Sequence, residues 1–151
     1  MKINFIEKLF GSGFFTGYIP FASGTFGSLA ALLIYFLPGF ESPVILISAI
    51  IIFTFYGIIV GNKFEKVYGK DPAECTIDEM VGMWITLIFL PKSLIIALAA
   101  FIFWRIADII KPPPARQLEQ LSGGLGIMMD DVAAGIYSLL AMHLILFIIK
   151  L

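Results

Sequence analysis

Residues 80–90, MVGMWITLIFL, and residues 94–107, LIIALAAFIFWRIA, are separated only by Pro91-Lys92-Ser93, and the way these two apolar pieces lie decides the fold. At 1.5 Å per helical residue they reach about 16 Å and about 21 Å, each short of a hydrocarbon core roughly 30 Å thick. They form either a hairpin turning at Pro91-Lys92 or one kinked crossing. The hairpin puts the polar stretches 62–79 and 105–131 on the same side as the N-terminus; the kinked crossing puts them on opposite faces. Charge favours the hairpin. It gathers Lys2, Lys8, Lys63, Lys66, Lys70, Arg105, Lys111 and Arg116 on one side and leaves Lys92 and Lys150 on the other. By the positive-inside rule the basic side is cytoplasmic. Ten of the eleven carboxylates join it, Glu41 being the exception, which points to a hydrophilic site there rather than to simple lipid anchoring.

Outward from this hairpin the chain stays apolar. Of its 151 residues 60% are hydrophobic and 14% charged, against about 45–50% and about 25% in ordinary soluble domains. This reads as an integral membrane protein and excludes disordered, collagenous and coiled-coil classes. Further apolar runs cover 26–37, 44–60 and 132–149, and the amphipathic segment 1–10 reads as an interfacial helix. No stretch alternates as a strand would, and an open sheet edge is not satisfied in lipid. The expected fold is therefore an all-α polytopic membrane bundle, one domain over 1–151, of about five hydrophobic helices plus the N-terminal one. A net charge of −1 gives no basic field to hold nucleic acid. The single Cys75 forms no intrachain disulfide and reads as incidental, and His143, deep in the last apolar run, reads as a helix-contact residue.

Three acidic clusters lie at expected helix ends. Thr76-Ile77-Asp78-Glu79 has the spacing of a capping box. Arg105 and Asp108, three apart, share a helical face and read as an ion pair. Asp130-Asp131 before Val132 reads as an N-cap favoured by the helix dipole. Each has that ordinary structural explanation alone, but none explains why the hairpin brings all three to one level. Five carboxylates so placed repel unless a cation or proton neutralises them. An oxygen-only set, without a nearby histidine or spare cysteine, favours magnesium or manganese over zinc. Arg105, Lys111 and Arg116 stand where a phosphate would be held, although snorkelling explains Lys111 and Arg116 equally well. Gly24-Thr25-Phe26-Gly27-Ser28 offers amides and hydroxyls for an anion, with a Thr25 N-cap and close-packing glycines as the plainer reading. Gly123-Gly124-Leu125-Gly126 reads as a helix stop and turn. A small divalent-cation transporter is the rival reading, but it would place acids mid-span rather than at helix ends.

Four segments carry a resemblance to a known family: residues 24–28 (GTFGS), 78–85 (DEMVGMWI), 105–114 (RIADIIKPPP) and 123–135 (GGLGIMMDDVAAG). In order and spacing they are similar to the phosphatidylglycerophosphatase A family. The resemblance implies a bacterial inner-membrane, magnesium-dependent phosphatase, and the hairpin and positive-inside reading make it multi-pass with its site facing the cytoplasm. Such an enzyme removes the terminal phosphate of phosphatidylglycerophosphate, giving phosphatidylglycerol and inorganic phosphate, and its helices surround a central one. On this reading Asp78, Glu79, Asp108, Asp130 and Asp131 bind and orient magnesium. Arg105 and Lys111 clamp the phosphate, with Thr25 and Arg116 as further phosphate contacts. One carboxylate, Asp130 or Asp131 first, is either general base or nucleophile. The bilayer holds the substrate's acyl chains, and no protein partner is indicated.

Overall fold

A computed structural model describes residues 2–149; Met1, Lys150 and Leu151, and with them the expected placement of Lys150, lie outside the described residues. Among the described residues all regular structure is helical. Helix α1 (Phe5–Gly11) leads through a 3₁₀ turn (Thr16–Tyr18) to α2 (Ser23–Tyr35) and α3 (Pro43–Tyr68). Then follow α4 (Ile77–Thr86), α5 (Leu94–Ile110), the single turn α6 (Ala115–Leu118) and α7 (Gly124–Ile148). Helix α1 starts with a reciprocal cap, Asn4 accepting from the Glu7 amide at 2.9 Å and Glu7 from the Asn4 amide at 3.0 Å.

Helices α3 and α7, with 26 and 25 residues, are about 39 Å and 38 Å long and are apolar enough to cross a membrane. Helix α4, only 10 residues long, is the centre. Nine of its residues are buried, and it packs against α2, α3, α5 and α7. Glycine makes this crowding possible. A Cβ on Gly82 would run into the Trp104 ring of α5, and one on Gly135 of α7 would sit 2.8 Å from the Gly82 carbonyl. The two buried indoles then find acceptors on α2: Trp84 Nε1 donates to the Ala31 carbonyl at 3.0 Å and Trp104 Nε1 to Ser28 Oγ at 2.9 Å, as buried Trp N–H groups require. Outward, large apolar side chains stand exposed, among them Phe55 and Ile59 on α3, Ile95 and Ile102 on α5, and Leu140 and Phe147 on α7. So much exposed apolar surface suits a lipid-facing belt.

The hairpin is observed. The first turn of α4 and the last turn of α5 meet at one end of the molecule, where Arg105 and Asp108 face Glu79. At the other end Lys92 Nζ donates to Glu41 Oε2 at 2.7 Å and to the Leu37 carbonyl at 3.1 Å, so the one carboxylate expected away from the rest is paired with the lysine expected there. His143 Nε2 lies 2.9 Å from the Ile88 carbonyl, the helix contact expected of it.

Several local expectations are corrected. Helix α3 runs on through residues 62–68, because charged side chains there are good helix formers and the turn comes only at Gly69, whose φ is +104°. Helix α7 begins at Gly124 rather than at Val132. Residues 123–126 therefore start a helix instead of stopping one, and Asp130-Asp131 sit inside α7, not at its N-cap. The Asn62 side chain supplies the cap, its Oδ1 accepting the Gly124 N–H at 2.9 Å, while Gly61 of α3 leaves room for Gly124: a Cβ on Gly61 would lie 2.9 Å from the Gly124 Cα. Thr25 is not an N-cap, since α2 starts at Ser23 after Ala22. Thr76 occupies the N-cap position of α4 without a side-chain cap; its Oγ1 pairs with Thr16 Oγ1 at 2.9 Å instead.

Candidate active site

The site is assembled where α2 starts, α4 starts, α5 ends and the second turn of α7 passes. Each element arrives there for a reason already given: Ser28 and the two indoles fix α2 on α4 and α5, Gly82 and Gly135 let α5 and α7 close on α4, and Asn62 starts α7 early enough to carry Asp131 inward. One carboxylate oxygen from each of Asp78, Glu79 and Asp131 lies within 4.8 Å of the others. Asp78 and Asp131 are buried and Glu79 half-buried. Asp78 Oδ1, Glu79 Oε2 and Asp131 Oδ2 have no hydrogen-bond partner. Buried polar atoms are normally paired, so three neighbouring carboxylates that each keep an unpaired oxygen have donor atoms to offer a cation. Two oxygens on one magnesium ion lie at most about 4.2 Å apart, a spacing comparable with the 4.8 Å within which these oxygens lie. The donor set is oxygen only, which suits a hard ion.

Basic groups and the remaining acids surround this trio. Arg105 Nη1 donates to Asp108 Oδ2 at 2.5 Å, the ion pair the spacing predicts, while Arg105 Nε is buried without a partner. Lys111 Nζ bridges Asp130 Oδ2 at 2.6 Å and Glu119 Oε1 at 2.8 Å. The structure thus sorts the five expected magnesium carboxylates. Asp78, Glu79 and Asp131 converge, whereas Asp108 and Asp130, which flank them, are engaged by Arg105 and Lys111. A Cβ on Gly24 would strike Glu79 Oε1 and lie 3.3 Å from Arg105 Nη1, so the GTFGS segment does border the site, and Thr25 lies half-buried one residue on. Arg116 is exposed, and no ion pair among the described residues joins it to the cluster.

Two acids escaped the sequence reading. Glu119 shares Lys111 with Asp130, and Asp71, at a backbone φ of +48°, lies in the field of Lys111, Glu119 and Asp108. Asp71 is open to solvent on one side, yet the protein crowded around its carboxyl pushes it above the usual carboxylate range, and Lys111 only partly opposes this. The Asp71-Pro72 turn and the eight-residue step from Lys111 to Glu119 were the available signals. Cys75 is buried; burial and then the charges of Glu79 and Asp71 push its thiol up, which keeps it from acting as a thiolate.

Comparison with known proteins completes the picture. A Bacteroides thetaiotaomicron protein, provisionally named phosphatidylinositol-3-phosphatase, is 44% identical over 89% of this chain and 90% of its own. Phosphatidylglycerophosphatase A of Escherichia coli K12 is 35% identical, covering 91% of this chain and 82% of that protein. Phosphatidylglycerophosphatase A of Haemophilus influenzae is 36% identical, covering 95% and 92%. No solved structure matches. The family model described as phosphatidylglycerophosphatase A matches residues 9–146, a span that contains the three acidic clusters, Arg105, Lys111 and the helices that gather them, and the chain belongs to that family of phosphatases.

Proposed function

We propose that the protein hydrolyses the terminal phosphate of phosphatidylglycerophosphate at the cytoplasmic face of a bacterial inner membrane, as a multi-pass bundle and with magnesium as cofactor. The observation that carries this reading is the convergence of the Asp78, Glu79 and Asp131 carboxylates, each keeping one buried oxygen without a hydrogen-bond partner, beside Arg105 and Lys111. Names of family relatives support the substrate, and two helices long enough to cross, with an exposed apolar belt, support the setting. The family assignment gives no support to cation transport.

Asp78, Glu79 and Asp131 would hold the metal ion. When bound, magnesium supplies charge neutralisation at the phosphoryl oxygens and a more acidic water. The chain's own residues do the rest. Arg105, kept in place by Asp108, turns its free Nε and remaining N–H groups to the phosphate and stabilises the charge that develops in transfer. Lys111 exchanges a carboxylate partner for a phosphate oxygen, which frees Asp130 to take the proton of the attacking water. The new P–O bond forms from that water, the bond to the glycerol oxygen breaks, and the glycerol oxygen leaves with a proton from solvent. Thr25 adds a hydroxyl contact from the start of α2. Arg116, exposed on α6, meets the headgroup only from outside.

Phosphate release by the purified protein from phosphatidylglycerophosphate, with magnesium and then with excess chelator, tests the reading. Release that chelation abolishes is expected; release unaffected by chelation rejects the metal assignment, and no release from this lipid rejects the substrate. A parallel arm with phosphatidylinositol 3-phosphate tests the substrate class printed for the Bacteroides relative.

A further inference from the structure

The outer surface between α5 and α7 carries an apolar groove of about 220 Å³, walled by Phe103, Ile106, Ala107 and Ile110 on one side and by Tyr137 and Ala141 on the other. We propose that this groove seats one acyl chain of the lipid whose phosphate enters the acidic site, a step that rests on the lipid-phosphatase reading above. Three observations select that occupant. The groove adjoins the site: its lining includes Ala107 and Pro112, the chain neighbours of Asp108 and Lys111. On α5 Phe103, Ala107 and Ile110 follow at steps of four and three, and on α7 Tyr137 and Ala141 stand seven and eleven residues after Asp130, spacings that keep each set on one helical stripe. The Lys111–Asp130 ion pair at 2.6 Å joins the C-cap of α5 to α7 next to the end of the groove that Pro112 lines. That end is also roofed: Tyr137 Oη donates to the Pro113 carbonyl at 2.5 Å, tying the Pro112-Pro113-Pro114 turn over the charged end. Finally, Ile106 and Ile110 are exposed on the apolar belt, so the groove opens sideways toward lipid, and its volume lies below the roughly 300 Å³ at which pockets take a whole small molecule. An amphiphile with a phosphate at one end and a hydrocarbon chain at the other fits this polarity; a free phosphate leaves the groove empty.

A chain leaving the bilayer for this groove passes from one apolar medium to another, so the groove contributes orientation more than affinity. The test is Ala141→Trp, which fills the lower end about 17 Å along α7 from Asp130, assayed in detergent with dioleoyl and with dihexanoyl phosphatidylglycerophosphate, whose short chains end before that point. We expect kcat/KM to fall about tenfold for the dioleoyl lipid and to stay unchanged for the dihexanoyl one. No change with either lipid overturns the proposal. Equal loss with both passes the decision to Phe103→Ala, which only removes volume. It is expected to shift preference toward a branched diphytanoyl lipid over dioleoyl, and an unshifted preference overturns the proposal. Wild type inactive on both lipids would instead remove the lipid-phosphatase reading, whereas an active wild type whose variants ignore chain structure removes the groove alone.

Discussion

Gly24→Ala separates the site from the fold more cleanly than any change to a charged residue. Gly24 lies in the first turn of α2 with ordinary helical geometry, so alanine there costs the backbone nothing and gains up to about 1 kcal/mol of helix propensity. The added methyl, however, would strike Glu79 Oε1 and stand 3.1 Å from its Cδ and 3.3 Å from Arg105 Nη1. Ordinary contact starts at 3.4 Å, so the Glu79 carboxylate must retreat by roughly 1 Å. It is the end of a flexible side chain and does so cheaply, but it leaves Asp78 and Asp131 and presses on the guanidinium. A misplacement of about 1 Å costs a reaction on the order of 10²-fold, about 2.7 kcal/mol of transition-state stabilisation. Phosphate release from phosphatidylglycerophosphate in detergent, with thermal unfolding followed on the same sample, reads both quantities. The expected result is a hundredfold lower kcat/KM with an unchanged or slightly raised Tm. Gly27→Ala is the contrast, because its methyl would meet the Thr76 Cβ at 2.9 Å and the Thr76 carbonyl at 3.2 Å, where less can move, and it should lower Tm. Full activity in Gly24→Ala, or a loss accompanied by an equal fall in Tm, would refute the placement of Glu79 at the reacting centre.

Asp78→Asn, Glu79→Gln and Asp131→Asn each remove one charge from a buried, mutually repelling set; activity should drop by about 10² or more while the metal-free protein melts higher, and lower melting in all three would sink the repulsion argument. Glu7 is held below its usual carboxylate range, first by the side-chain bond from Lys63 and then by the Asn4 amide. Its folded value being depressed, the stability it contributes is complete above the unfolded value near 4.5 and is lost as pH falls through the folded one. Glu7→Gln should therefore flatten the acid limb of Tm against pH, and an unaltered limb would contradict the pairing. Cysteines replacing Lys70 and Gln120, both exposed, in a Cys75→Ser background should label from the same side of the membrane; labelling from opposite sides would break the hairpin topology.

Much of the arrangement was legible in the order of residues. Two apolar pieces too short to span, the lysine count and the lone Glu41 predict the hairpin, and the Lys92–Glu41 pair shows why: the turn at Pro91-Lys92 is where both charges reach water. The Arg105–Asp108 pair follows from a spacing of three. Less legible were the helix boundaries at residues 62–68 and 124–131. Hydropathy falls there while backbone hydrogen bonding continues, and the cap that lets α7 begin early comes from Asn62, sixty-two residues away. Glu119 and Asp71 were invisible for the same reason, since a carboxylate on a surface turn acquires its role only when Lys111 is brought to it.

From the amino-acid order alone came the membrane setting, the helical class and the identity of the acids and cations, because composition, period and short spacings are properties of neighbours along the chain. The division of labour among the acids was decided in three dimensions. Asp78 and Asp131 are fifty-three residues apart, and they meet with their oxygens unpaired only because Gly82 and Gly135 let α5 and α7 close upon α4. Whether a carboxylate is held by a cationic side chain or left unpaired depends on that approach of backbones, a distance no local pattern encodes.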